Sequence, residues 1–345
     1  MKKKWFGCCL SIVLTPFLVC GLYYGAVTLY VALTELPYDD ERVDAYALLP
    51  AETTGAAVLT DLRLREDTRL KFILPHHRIN ELIDPIFVSV ELQPEDVSQV
   101  ALVSVDYSSA AMLIYTHKAP AIFESLPARD IEQVESYGED TLYMIITPYL
   151  IGYDKNVSLD KFEPWVWTLV NDGLLVVGGV STVKNVLDIF HGRRANLVQA
   201  RPIMQNLITL MRDKPNVYYN FRREEDIEMG KTFMWVLSFF MGPLYGLTEL
   251  SSVQAGSFAF EEVDNWCIST MGSQLASRKS AMIVSSPFKL ISGFENLSGP
   301  SSLNWDTDLM ETVRVNNVML TSVHWRKEKC DKIRAERPPF VFPNW

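Results

Sequence analysis

A run of 30 residues without a charged side chain, from Trp5 to Thr34, constrains this chain more than any other feature of its sequence. About 20 apolar residues in a helix span the hydrocarbon core of a bilayer, so this run can cross it with some tilt. Lysines occupy positions 2–4, and acidic residues follow the run at 35–41. Because basic flanks stay in the cytoplasm, the sequence predicts a cytoplasmic amino terminus and an extracytoplasmic body, periplasmic in a Gram-negative host.

A cleaved signal peptide is the alternative to an anchor. Such peptides have an apolar region of about 7–15 residues that ends at a small-x-small cleavage site. The run here is longer, and Tyr30-Val31-Ala32 does not fit that cleavage pattern. We therefore predict an uncleaved transmembrane anchor at 1–36, which contacts the membrane through residues 5–34, and a connector at 37–49.

The composition of the chain is that of a folded body. Of its 345 residues, 48% are hydrophobic and 21% are charged, which is typical of globular proteins. The formal net charge is −10, and because that value includes the three N-terminal lysines, the rest carries −13. Nucleic-acid binding requires a basic face, so the sequence predicts no nucleic-acid partner.

Hairpin signals recur along the body and alternate with helical segments. Asn171-Asp172-Gly173 suits the positive φ angles of a tight turn between two apolar strands. The sequence predicts strands at 56–62, 100–107, 111–117, 165–170, 174–180, 217–221, 253–262, 265–271 and 318–325, with a further segment at 308–315 before the last of them. It predicts helices at 119–126, 182–190, 202–212 and 280–294, with Ser181 capping the second of them.

This order predicts an α+β fold, in which an N-terminal transmembrane helix precedes repeated units of antiparallel sheet and helix. We expect these units to be of the split β-α-β, ferredoxin-like type. The predicted boundaries are 50–150 for the first unit, 151–250 for the second, 251–335 for the third, and 336–345 for a proline-rich tail.

One block of the sequence resembles a group of known proteins. Gly173–Gly179, the helix that ends near Gly192, and residues 202–219 are similar to a block in uncharacterised bacterial envelope proteins with one N-terminal anchor. The opening at 48–58 is similar to the start of the first repeat in those proteins. The resemblance covers about half of the chain, and it implies an α+β repeat body and an envelope location, but no activity.

The five cysteines fall into two groups. Three of them lie within the predicted anchor, whereas Cys267 and Cys330 belong to the body. An oxidising compartment would permit these two to pair. The sequence leaves open whether their Cα atoms lie within bonding distance, so a disulfide is one alternative and two free thiols the other.

The only catalytic motif in the body is incomplete. Ser181-Thr182-Val183-Lys184 fits the Ser-x-x-Lys pattern of penicillin-recognising enzymes, in which the serine is the nucleophile. No Lys-Thr-Gly or Lys-Ser-Gly element follows it. We therefore predict that this protein is not an enzyme and has no catalytic residue.

Metal-binding patterns are equally incomplete. The segment from Asp154 has oxygen side chains at alternate positions, as in a calcium loop, but Leu159 and Trp165 stand where glycine and glutamate are required. The histidines form no metal-ligand motif; they are His76, His77, His117, His191 and His324. The sequence therefore predicts neither a metal nor a cofactor.

The most apolar part of the body is the stretch 232–248, TFMWVLSFFMGPLYGLT. Apolar side chains occupy nearly every face of this segment, which excludes an amphipathic surface helix. Three alternatives remain: a helix covered by the sheet, an exposed apolar surface, and a short membrane span. For the second of these, the candidate binding residues are Phe233, Trp235, Phe239, Phe240 and Tyr245.

These observations favour a non-catalytic, membrane-anchored extracytoplasmic protein that binds a protein partner in the envelope, as a subunit of a membrane assembly. The alternative is a carrier or sensor of a lipid or another apolar ligand, which would bind at 232–248. An enzyme of unrecognised type is the third hypothesis.

Overall fold

The computed structural model describes residues 45–60, 62, 83, 86–105, 109–126, 131–145, 163–228, 252–286, 289 and 308–336. The strands are β1 Gly55–Leu59, β2 Val97–Ser104, β3 Ala110–Thr116, β4 Ile131–Tyr137, β5 Asp140–Ile145, β6 Trp165–Asn171, β7 Leu174–Gly179, β8 Asn216–Phe221, β9 Val253–Val263, β10 Trp266–Leu275, β11 Leu309–Val315 and β12 Val318–Arg326. The α-helices are α1 Ala119–Ser125, α2 Val180–Phe190, α3 Leu197–Ala200, α4 Gln205–Met211 and α5 Lys327–Glu336. Residues 86–89 and 278–286 are also helical.

Among the described residues, the twelve strands form one sheet in the order β11-β12-β10-β9-β8-β1-β2-β3-β7-β6-β5-β4. Every neighbouring pair in it is antiparallel. This confirms the predicted α+β class. A split β-α-β unit would place a third strand between the two strands that its helix joins. Here β1 pairs directly with β2, and β8 pairs directly with β9, so the sheet does not show the predicted ferredoxin-like repeats.

The sheet has two halves of similar connectivity, which meet where β1 pairs with β8. In each half the central strand is followed by a hairpin, β2–β3 or β9–β10. A helical segment comes next and is followed by an outer hairpin, β6–β7 or β11–β12. The second strand of each outer hairpin pairs with the preceding hairpin: β7 pairs with β3, and β12 pairs with β10. The outermost strands of this shared pattern are β6 and β11. The first half adds one hairpin, β4–β5, beside β6.

Helices cover both faces of the central strands. On one face α2, α3 and α4 pack over Val58, Leu113 and Val176. On the other face, Ile83, residues 86–92 and α1 pack over a second apolar layer that contains Ile114 and Trp167. Burial on both faces explains why β3 and β7 are nearly continuous apolar runs rather than alternating ones.

The structure describes the last part of the predicted connector, but it does not describe the predicted anchor. Residues 45–48 form a short 3-10 helix in the core, where Tyr46 packs edge-on against Tyr219 with ring centroids 5.7 Å apart. The packed body therefore begins before residue 50. No helix among the described residues is long and apolar enough to cross a membrane, and the predicted anchor at 1–36 lies outside them.

Tyr218 allows a test of the second apolar layer. Its side chain is buried in that layer, and burial raises the pKa of its hydroxyl well above the ordinary value of 10.0. A raised folded-state pKa gives stability that is complete below the unfolded pKa and is lost as the pH rises above it. Above pH 10, the free energy of unfolding should fall with pH more steeply in the wild type than in Tyr218→Phe. We expect the two slopes to differ by about 1.4 kcal/mol per pH unit. Denaturant unfolding at pH 9, 10 and 11 measures this slope, and equal slopes in both proteins would contradict the burial of this hydroxyl.

Candidate interaction surface

The apolar residues predicted to bind a ligand or partner lie outside the described part of the chain. They are Phe233, Trp235, Phe239, Phe240 and Tyr245. The three alternatives for 232–248 therefore stay predictions. The C-terminal tail from 337 onward and most of the segment that resembles a calcium loop also lie outside the described residues.

The two body cysteines form a disulfide in the structure. Cys267 lies on β10 and Cys330 on α5, with their Cα atoms 6.4 Å apart, within the normal range for this bond. Both side chains are buried, at 0% and 6% exposure. The bond therefore fixes the C-terminal helix to the sheet, beside β12.

The two residues of the Ser-x-x-Lys motif bind different carboxylates. Ser181 Oγ donates to Glu163 Oε2 at 2.7 Å, and the Ser181 amide donates to the same oxygen at 3.1 Å. Lys184 Nζ donates to Glu135 Oε1 at 2.7 Å. The prediction that Ser181 caps α2 is wrong, because the N-cap is Gly179 and the carboxylate of Glu163 binds the first-turn amide. The motif is thus used to attach the helix to neighbouring segments.

The described histidines and acidic residues do not gather around a common point. Within the described ranges, no group of three or more His, Cys, Asp or Glu side chains could hold a metal ion. His191 binds Asp140, with Nε2 and Oδ2 2.8 Å apart, and His324 packs edge-on against Trp266. His76 and His77 lie outside the described residues.

The hairpin β4–β5 forms one end of the sheet, and the sequence prediction missed it. Its turn end is attached to α2 through Asp188, which accepts hydrogen bonds from Tyr137 Oη at 3.0 Å and from Arg193 Nε at 2.8 Å. The hydrogen bond to Asp188 raises the pKa of the Tyr137 hydroxyl. The guanidinium carbon of Arg193 lies 5.6 Å from the centre of the Tyr137 ring. The Lys184–Glu135 pair and the His191–Asp140 pair join the same two elements.

Replacing Asp188 with alanine is expected to loosen this hairpin. The change leaves the Tyr137 hydroxyl without its acceptor and removes the partner of Arg193, at a cost of about 1.5–3 kcal/mol for a hydrogen bond to a charged group. Amide hydrogen exchange should show faster exchange at 131–145 and little change in β1. Asp172→Ala, in an exposed turn, is the matched control. Unchanged protection at 131–145 in Asp188→Ala would show that the network does not hold the hairpin.

The strand β11 forms the other end of the sheet, and both of its ends are held by side chains. Before it, Asp308 Oδ2 accepts the Arg326 amide at 2.7 Å, and Asp308 Oδ1 lies 3.5 Å from Lys329 Nζ. After it, the turn between β11 and β12 contains the buried Asn317, whose Oδ1 accepts from Asn206 Nδ2 at 2.6 Å. These contacts fix the position of the strand.

The Asn317 turn is further held by a buried amide network. Asn317 Nδ2 donates to the carbonyl of Leu275 at 3.1 Å, and Gln274 Nε2 donates to the carbonyl of Asn317 at 3.4 Å. Gln274 Oε1 in turn accepts the Leu207 amide at 3.2 Å, near the start of α4. Gln274 is 0% exposed, so these partners replace the water that its amide would otherwise bind. The network joins the turn to β10 and α4.

On its outer side, β11 has no neighbour among the described strands. Val315 and Val318 flank a two-residue turn and therefore form a hydrogen-bonded pair. By alternation, the backbone groups of Thr312 point away from β12, and among the described residues no strand pairs with that side. Val313 is 50% exposed, and Glu311, two residues earlier on the same face, is also exposed. The sequence analysis separated a segment at 308–315 but did not indicate that it lies at the end of the described sheet.

Comparison with known proteins adds little to these observations. No family model matches the sequence, and no curated protein matches it either. The chain is similar to solved structures of TP0453 in crystal forms I, III and IV, at 10%, 11% and 9% sequence identity. The matches cover 85% of this chain and 98%, 99% and 96% of the TP0453 chains, with TM-scores of 0.40, 0.39 and 0.41. A likeness at this level carries no inference about the function of this chain.

Proposed function

We propose that this chain is a single-pass membrane protein whose extracytoplasmic body binds a protein partner in the envelope, as a subunit of a membrane assembly, and catalyses no reaction. The observation that carries the proposal is the position of β11, which has no second neighbour among the described strands and is held at both ends. Extended segments of other proteins bind such edges, because the backbone groups on both sides are then paired.

Two further observations support the location. The disulfide between Cys267 and Cys330 favours an oxidising compartment, since disulfides persist outside the cytosol and are rare within it. The lysines at 2–4 and the uncharged run at 5–34 favour a transmembrane helix with a cytoplasmic amino terminus. We include in the proposal that the body consists of repeated units, which the similar connectivity of the two sheet halves supports.

The membrane orientation has a direct test in the full-length chain. Replacing the three lysines at 2–4 with glutamate removes the basic flank that retains the amino terminus in the cytoplasm. In the wild type, we expect Cys267 and Cys330 to be bonded to each other. In the variant, the body should remain in the cytoplasm, so that after denaturation both cysteines react with a maleimide as free thiols. Free thiols at both positions in the wild type would contradict an extracytoplasmic body.

The partner is tested by extracting the full-length protein in mild detergent and measuring the intact mass of everything that elutes with it. We expect a second polypeptide in a fixed ratio to this chain. A lipid-sized adduct without a second polypeptide would instead favour a carrier or sensor of an apolar ligand. A chain that elutes alone would contradict both hypotheses.

A further inference from the structure

The hairpin β4–β5 is an addition to the pattern that the two halves of the sheet share. The strands β6 and β11 occupy the same place in the two halves, each as the first strand of an outer hairpin. In the first half β5 pairs with β6, whereas the described residues of the second half contain no strand on the outer side of β11. The shared pattern is therefore complete without β4 and β5.

Few of the contacts between this hairpin and the sheet are buried. Among the described residues, β5 pairs with β6 at two positions, one of them Tyr143 opposite Trp167, whereas β6 pairs with β7 at six. Tyr143 is half-buried and packs against Phe123, with ring centroids 4.9 Å apart. From 134 to 144 only Leu142 is buried, in the apolar layer beneath α2, whereas every residue of β7 is buried. Elements with few buried contacts open at a lower free energy than the core of the same protein.

The hairpin is also attached by polar contacts with α2. Lys184, Asp188 and His191 follow one another at intervals of four and three residues, so they lie on one face of α2 and its C-terminal cap. Each of them binds one residue of the hairpin, and we name these pairs the α2 contacts: Lys184–Glu135, Asp188–Tyr137 and His191–Asp140. All six residues are half-buried. Because water reaches these groups, dissolved salt weakens the attraction between their charges.

We propose that β4–β5 is a detachable hairpin, which opens from the sheet as a unit while the rest of the body stays folded, and that the α2 contacts control its opening. Opening uncovers the backbone groups of β6 that pair with β5, at Val166 and Trp167. The hairpin is thus a cover over this edge of the shared pattern, and ionic strength loosens it. The inference goes beyond the proposed function, because it requires no partner.

The first test is amide hydrogen exchange of the full-length protein in mild detergent, at salt concentrations of about 0.01 M and about 1 M. Between these conditions the Debye length falls from about 30 Å to about 3 Å. We expect peptides from 131–145 to exchange faster than β7 at both concentrations. High salt should raise the rate in 131–145 about two- to fivefold, the effect of losing one exposed ion pair, and should leave β7 nearly unchanged.

Charge reversal tests the α2 contacts directly. Lys184→Glu places two carboxylates at the contact with Glu135, and Glu135→Lys places two ammonium groups there, so each variant should exchange about fivefold faster over 131–145. The double variant Glu135→Lys with Lys184→Glu restores an opposite pair, and its rate should return to within about twofold of the wild type. Lys214→Ala is the matched control, because it breaks the Lys214–Glu261 pair elsewhere in the body and should leave 131–145 unchanged.

Two results would overturn the inference. If 131–145 and β7 exchange at the same rate and respond equally to salt, the hairpin opens only when the whole body unfolds. If the single reversals exchange over 131–145 at the rate of the double variant or of Lys214→Ala, the α2 contacts do not control the opening. The thermal midpoint and the Cys267–Cys330 bond report whether each variant is folded. Co-purification of a partner bears on the proposed function alone, so the inference and the proposed function can fail separately.

Discussion

Removing the disulfide by the double substitution Cys267→Ala and Cys330→Ala is expected to lower the free energy of unfolding by about 4 kcal/mol. The two cysteines are 63 residues apart in the sequence, and the bond restricts the unfolded chain by closing a loop of that length. The chain-entropy relation gives about 4 kcal/mol for a loop of this size. Because both sulfurs are buried between β10 and α5, alanine also leaves some space there, which adds to the loss.

Denaturant unfolding of the full-length protein in mild detergent, with and without a reductant, measures this effect. Reductant should lower the midpoint of the wild type towards that of the double variant and should leave the double variant unchanged. The single variant Cys330→Ala is the control for packing, since it breaks the bond but keeps one of the two thiols. A wild-type midpoint that does not respond to reductant under unfolding conditions would show that the bond contributes nothing to stability.

The sequence predicts well those elements whose signals are local. The hairpin around Asn171-Asp172-Gly173 and the helix that Gly192 terminates were both expected, but none of the three turn residues adopts the positive φ suggested for them. A turn residue or helix terminator marks each of them, and Gly192 adopts a φ of +70° that glycine accommodates without strain. The α+β class follows from the order of these elements.

The elements that the sequence did not reveal have weaker local signals. The hairpin β4–β5 lacks a long apolar alternation, and its one clear mark is Gly138, which takes a φ of +65° at the first position of the turn. Asp188 and Tyr137, which hold this hairpin, are 51 residues apart, so their contact cannot be read from spacing. The capping of α2 was predicted wrongly for the same reason, because Glu163 comes from a separate segment of the chain.

The terminal position of β11 among the described strands depends on topology rather than on composition. The sequence analysis separated a segment at 308–315, close to the observed bounds of β11, yet a sequence such as LMETVRV does not determine which strands will be its neighbours. Its edge position follows from how the outer hairpin pairs with β10, and this pairing is set by contacts between residues about 50 apart in the chain. The sequence therefore indicates where this segment lies in the chain, but it does not indicate that the segment lies at the end of the described sheet.

Replacing Gly178 with alanine is expected to destabilise the protein by about 3 kcal/mol. Gly178 lies on β7 opposite Ala111 of β3, and a Cβ atom built at this position would lie 2.5 Å from the Ala110 carbonyl oxygen and 2.5 Å from the Ala111 Cα. Both atoms belong to the backbone of a central strand, so they can give way only if the sheet itself shifts. Forcing a group into a packed interior costs about 1–3 kcal/mol or more, and we expect the upper end here.

Gly256→Ala is the matched control, because the same chemical change meets only an ordinary van der Waals contact. A Cβ at Gly256, on β9, would have its nearest neighbour 3.9 Å away, at the carbonyl oxygen of Gly272. Since glycine in a strand costs about 0.5–1 kcal/mol relative to alanine, this variant should be as stable as the wild type or slightly more so. Thermal unfolding should therefore separate the two variants by about 5–10 °C. Equal midpoints would show that β3 and β7 do not approach each other as closely at Gly178 as the structure places them.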